Sequence, residues 1–103
     1  MNRNIYKLKA EVAKALAHES RLIMLDALKE GDKCVCELTD LVSADQSTVS
    51  KHLAILKNAG IVSDHKKGNR VYYHLETPCV FQFFDCALEV VQIRTQTTRS
   101  IML

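Results

Sequence analysis

Four cysteines are the residues of this 103-residue chain best able to do chemistry: Cys34 and Cys36 flank Val35, while Cys79 and Cys86 lie further along. Thiolates are soft donors and prefer soft ions to hard ones. The Cys34/Cys36 pair stands between Lys33 and Glu37, a charged neighbourhood in which thiolates form more easily. On a regular helical turn, residues i and i+2 point to nearly opposite sides, so one ion gripping both sulfurs must deform that turn. Two other readings stay open: small apolar fillers, since free cysteine is often buried, or a thiol pair that responds to oxidants or reactive sulfur. Cys79 and Cys86 share one helical face and read first as packing at a subunit interface, second as optional extra ligands. His65 and His74 fall on adjacent strands and read as solvated, with no site assigned to them.

A second constellation is built of polar and basic side chains. Gln46, Ser47, Ser50 and Lys51 cluster ahead of an apolar stripe formed by Val49, Leu53 and Leu56. That spacing predicts a helix running from an Asp45 N-cap to Ala59, with the stripe buried and the polar residues free in its first two turns. Gly60 ends the helix. Ile61 to Asp64 and Arg70 to Leu75 read as two strands, joined by a turn over Lys66, Lys67, Gly68 and Asn69. From Gln46 to Leu75 the basic residues are Lys51, Lys57, Lys66, Lys67 and Arg70, against the single acid Asp64. The formal net charge of +2 carries no argument, but this local excess does.

Upstream, Ile5 to Leu16 is an amphipathic helix, and a second helix carrying Leu22, Ile23, Met24, Leu25 and Leu28 runs from beyond His18 to Gly31 and should be mostly buried. Val35 to Val42 is a short helix with Leu38 and Leu41 facing inward. Pro78 opens a final helix in which Val80, Phe83, Phe84, Ala87, Val90 and Val91 line one face. So much apolar surface on one terminal helix asks for a partner subunit. The order short helix, turn, polar-faced helix, basic hairpin is that of a winged helix-turn-helix. An α-helix fits the major groove, so Gln46, Ser47, Ser50 and Lys51 would meet base edges and Lys66, Lys67 and Arg70 would meet phosphates. Thr48 divides between a DNA contact and a local cap. His52 divides between a contact at the groove and an anchor to a neighbouring helix.

The string from Asp45 to Val62, with Leu16–Leu22 before it and Gly68–Leu75 after it, resembles the ArsR/SmtB family of metal-responsive repressors over about residues 10 to 76. Cys34-Val35-Cys36 resembles that family's arsenic and soft-metal motif. The resemblance implies a homodimer formed through the first and last helices, bound to double-stranded operator DNA with an imperfect inverted repeat and released by arsenite, antimonite or another soft ion. No resident cofactor is required. Thr39 stands where the arsenic motif often has a third cysteine, so a small thiol, hydroxide, Cys79 or Cys86 would complete the shell. The N-terminal segment lacks cysteine and the final helix lacks histidine, which argues against the family's cadmium-lead and inter-helical zinc sites.

Length and composition agree with one mainly α domain over residues 1–103 carrying a two-stranded β wing and dimeric in form. The chain is 48% hydrophobic and 25% charged, with three glycines and one proline, a composition that folds. No stretch has the length of a membrane span or the pattern of a signal peptide, so the expectation is a cytoplasmic protein with reduced cysteines and no membrane partner. There is no glycine-rich phosphate loop and no recognisable catalytic triad, and an enzyme is not expected.

Overall fold

The computed structural model describes residues 3–98, with side chains as far as residue 95; the remainder of the 1–103 domain expectation lies outside the described residues. The elements run α1 (Arg3–Leu16), α2 (Glu19–Leu28), β1 (Lys33–Cys34), α3 (Val35–Val42), α4 (Gln46–Asn58), β2 (Val62–Lys67), β3 (Arg70–Leu75) and α5 (Val80–Thr98). Local chemistry sets the boundaries. His18 caps α2, its Nδ1 accepting from the Ser20 N–H at 3.1 Å. Asp45 caps α4 as its type predicts, accepting from the Thr48 N–H at 2.8 Å and the Ser47 hydroxyl at 3.1 Å. Between α3 and α4, Ser43 takes the left-handed conformation at φ 53°, which turns the chain sharply enough to set the two helices across each other.

Leu38 of α3, Val49, Leu53 and Leu56 of α4, and Met24, Leu25 and Leu28 of α2 form one core, closed by Ile61, Val62 and Leu75 from the sheet. The i, i+4, i+7 stripe of α4 is therefore fully buried. Two inward expectations fail: Ile23 and Leu41 are 42% and 50% exposed, because each points away from the single shared core.

The sheet holds a strand that the sequence reading lacks. β2 and β3 form the expected antiparallel hairpin, and β1 pairs with the other edge of β3, in the order β1-β3-β2. Register sets Lys33 opposite Tyr73 and Cys34 opposite Tyr72. A two-residue strand leaves no alternation to detect, which is why periodicity missed it. The hairpin is also tighter than expected: Lys66 and Lys67 are strand residues, opposite Val71 and Arg70, and the loop is only Gly68 and Asn69. Gly68, at φ 68°, supplies the positive angle that this turn needs in its first central position.

α5 begins beyond Pro78, as expected. Val80, Phe81 and Phe84 in its first turns pack against the core, and Lys29 Nζ sits 4.7 Å from the centre of the Phe81 ring. Beyond them the helix leaves the body of the molecule, and Phe83, Leu88, Val90 and Val91 are more than half exposed. Ile5, Leu8 and Val12 on α1 are exposed as well. Among the described residues no helix is long and apolar enough to cross a membrane.

Candidate nucleic-acid interface and thiol cleft

Gln46, Ser47, Thr48, Ser50 and Lys51 are all exposed in the first half of α4. The Asp45 cap uses the Thr48 N–H, and the exposed Thr48 side chain lies close enough to Asp45 to act on its carboxylate as well. Asp45 itself titrates below the usual carboxylate range, chiefly through its hydrogen bonds to Thr48. On the ribbon, Lys66, Lys67 and Arg70 are exposed, but neighbours in a strand project from opposite faces, so Lys66 and Lys67 do not act as one cluster. Lys57 is engaged: its Nζ lies 3.0 Å from an Asp64 carboxylate oxygen, tying the end of α4 to β2. The basic excess available on this side is therefore Lys51, Lys66, Lys67 and Arg70.

His52 is turned the other way. Its Nδ1 accepts from Arg21 Nε at 3.0 Å, and its ring centre is 4.3 Å from that of His18. Burial, reinforced by the charges of His18 and Arg21, pushes its pKa down and keeps the ring neutral. Of the two sequence readings the geometry supports the anchoring one. Arg21, which sequence reasoning passed over, also donates to the Lys14 and Ala15 carbonyls at 3.3 and 3.2 Å, and so joins the end of α1 to α4. No pattern marks such a residue, because its partners lie on two other elements.

The thiol pair does not sit on a regular helical turn. Cys34 is the N-cap of α3 with an extended backbone, φ −85° and ψ 167°, and is buried; Cys36 is the second residue of the helix and is exposed. The extended residue swings its side chain towards the helix end, and both cysteines line one cleft. The premise of opposed sulfurs on a regular turn does not hold, since only one of the pair has helical dihedrals. Glu37 holds the arrangement, its Oε1 accepting from the Cys34 N–H at 3.0 Å, which keeps its carboxyl below its ordinary range.

For Cys36 the expectation of an easily formed thiolate is not met. Its neighbour Cys34 is the largest influence and raises its pKa; some burial adds to the rise, and Arg70 only partly offsets it.

Arg70 Nη1 lies 3.9 Å from Cys36 Sγ. Around the sulfurs is a cleft of about 420 Å³ lined by Cys34, Val35, Cys36, Gln46, Asn69, Arg70 and Val71. The first residue of α4 and the tip of the wing thus form its walls. Thr39, in the place of the missing third thiol, donates its hydroxyl to the Val35 carbonyl at 2.8 Å. Cys79 and Cys86 are exposed near the start of α5 and do not line the cleft. Among the described residues no three His, Cys, Asp or Glu side chains are gathered as a metal ion would need.

Asp32 was also missed. Its carboxylate holds His74 Nδ1 at 2.7 Å and lies 3.8 Å from His65 Nε2, fastening the α2–β1 turn to both wing strands.

Comparison with known proteins agrees with this arrangement. The profile described as "Bacterial regulatory protein, arsR family" matches residues 18–64, from the α2 cap into β2. The arsenic resistance transcriptional regulator ArsR1 of Pseudomonas putida is 46% identical over 81 residues, covering 78% of this chain but only 62% of that relative. This chain therefore matches somewhat less than two thirds of that protein. Rv0081 of Mycobacterium tuberculosis is 36% identical over 88 residues, which are 84% of this chain and 77% of that protein. Its crystal structure superposes with a TM-score of 0.76 at 35% identity, over 92% of this chain and 95% of that one. A homodimeric winged helix-turn-helix DNA-binding domain from Mycobacterium bovis superposes with a TM-score of 0.78 at 27% identity, over 97% and 93%. These proteins are regulators that act on DNA rather than enzymes, and the chain belongs to the ArsR family of bacterial regulatory proteins.

Proposed function

We propose that the protein is a homodimeric repressor that binds double-stranded operator DNA and is released when arsenite or antimonite bridges Cys34 and Cys36. The observation that carries the reading is the composition of the thiol cleft: its walls are Gln46, in the base-reading part of α4, and Asn69 and Arg70, in the wing. An ion entering there changes the spacing and the charge of the two parts that must engage DNA together. The ligand is a neutral hydroxide of the trivalent element. It condenses with two thiols and releases water, so the protonated state of Cys36 is no obstacle.

Two such subunits would present recognition helices about 34 Å apart, one helical turn of B-DNA, which matches an imperfect inverted repeat. Gln46, Ser47, Thr48, Ser50 and Lys51 supply base and nearby backbone contacts, and Lys66, Lys67 and Arg70 supply phosphate contacts. Exposed apolar faces on α1 and α5 supply the dimer surface. Inducer and operator then oppose one another, and each weakens the other by one shared factor.

The test is release of labelled operator under reducing conditions. Arsenite frees the DNA from wild type but not from Cys34→Ser or Cys36→Ser. A normal response in both variants overturns the inducer site, and release by peroxide or persulfide alone transfers the same scaffold to redox sensing. For the DNA surface, Lys51→Ala loses discrimination between operator and random duplex, whereas Lys67→Ala weakens both alike and lowers the salt dependence.

A further inference from the structure

Two thiols and a trivalent metalloid leave one position unfilled, and the cleft describes what fills it. The protein supplies no third sulfur there: Thr39 is bonded back to its own helix, Cys79 and Cys86 lie outside the lining, and the described residues gather no three-ligand group. The space of about 420 Å³ exceeds what a lone hydroxide needs by an order of magnitude, since a water takes up about 30 Å³. Its lining is uneven in charge. Arg70, at 3.9 Å from Cys36 Sγ, is the one cation, Gln46 and Asn69 are neutral hydrogen-bonding groups, and no carboxylate is among the lining residues. Glu37, next to Cys36 in sequence, is turned onto the Cys34 N–H. Such a cleft suits an anion that arrives beside the sulfurs.

Resting on the arsenite reading above, we propose that the third position on the metalloid is taken by a small thiol from solution that carries a carboxylate, with the carboxylate seated on Arg70. The chemistry balances without any electron transfer. Arsenous acid, As(OH)3, condenses with the Cys34 and Cys36 thiols to give a protein-bound dithioarsenite that retains one hydroxide, and two waters leave. The small thiol then replaces that hydroxide, its proton leaving with the hydroxide as a third water, and arsenic stays trivalent throughout. The guanidinium forms a paired hydrogen bond with the carboxylate, for which its planar fork is shaped. Arg70 is then no longer available to a DNA phosphate. The small thiol thus acts as a co-inducer: it completes the ligand shell and withdraws one wing contact.

The experiment titrates arsenite into the reduced protein in the presence of 3-mercaptopropionate, 2-mercaptoethanol or cysteamine, which carry an acid, a hydroxyl and an amine respectively. Arsenic–sulfur absorbance reports affinity, and native mass spectrometry reports composition. A ternary adduct of protein, arsenic and 3-mercaptopropionate is expected, together with affinity about fivefold tighter than with 2-mercaptoethanol and weakest with cysteamine. Fivefold is near the upper end for an ion pair exposed to water. Arg70→Gln removes this ranking and Arg70→Lys keeps part of it.

Equal affinities for the three thiols in wild type, or an adduct that retains hydroxide whichever thiol is present, overturns the proposal while leaving the thiol pair as the inducer site. An adduct free of small thiol that is lost in the Cys79→Ser, Cys86→Ser double variant also overturns it, in favour of a protein third ligand. Unchanged absorbance in Cys34→Ser and Cys36→Ser removes the inducer site itself, and the co-inducer with it.

Discussion

Cys34 with Cys36 and Cys79 with Cys86 are two pairs of the same side chain, and the fold treats them in opposite ways. The first pair straddles a boundary, one residue extended and capping, the other helical, and both line one cleft. In the second pair Cys79 lies in the turn just before α5 and Cys86 within it, so the helical rise from Val80 to Cys86 alone, six residues at about 1.5 Å each, sets them roughly 9 Å apart along the axis. A spacing of seven is not enough for two donors to share an ion. A break in regularity between neighbours in sequence does more to gather ligands than regular spacing.

The sharpest way to break this comparison is to delete each pair. In wild type, arsenite should weaken operator binding by about 5- to 150-fold, the range of typical coupling energies. Cys34→Ser and Cys36→Ser should each abolish the effect, while the Cys79→Ser, Cys86→Ser variant should keep all of it; fluorescence anisotropy on labelled operator measures both. A smaller effect comes from the residue that holds the boundary. Glu37→Ala removes the acceptor for the Cys34 N–H, so it should lower stability, read as the urea midpoint, and should weaken arsenite binding in parallel. The matching change on α5, Glu89→Ala, lies far from the cleft and should alter neither by more than about 0.5 kcal/mol.

The smallest expected effect is a pH slope that lies outside both thiol pairs. His52 is held neutral in the fold while the unfolded chain takes up its proton near the ordinary value of 6.5. Below that pH the unfolded state binds more protons, so this residue's contribution to stability falls as pH drops through about 6.5 towards the depressed folded value. Urea midpoints of wild type and His52→Gln between pH 7.5 and about 5.5 should diverge in slope in that sense. The arsenite response of His52→Gln at neutral pH should be intact, which shows that anchoring α4 and sensing at the thiols are separable.

Most of the scaffold was legible in the residues because it depends on period and caps. The Val49, Leu53, Leu56 stripe, the Asp45 cap, the helix beyond Pro78 and the hairpin each follow from one local rule, and each is present. The exposed face of α4 was legible for the same reason, being what the buried stripe leaves over. What escaped depends on partners distant in sequence. β1 exists only because β3 offers an edge, and that strand changes the backbone of Cys34 and hence the geometry of the pair. The Arg21–His52 bond spans 31 residues and the Arg70–Cys36 approach spans 34, and no periodicity carries such information. Ile23 and Leu41 were misjudged because a hydrophobic residue on a short helix can face a partner or solvent as readily as the core.

α5, 19 residues and roughly 28 Å long, packs against the core cluster through Val80, Phe81 and Phe84 in its first turns. Under the proposed dimer, the exposed Phe83, Leu88, Val90 and Val91 would be covered by a second copy, and folding and assembly would become one equilibrium. The melting temperature then climbs with protein concentration, and a cell that makes less of this regulator holds subunits that are less completely folded as well as fewer.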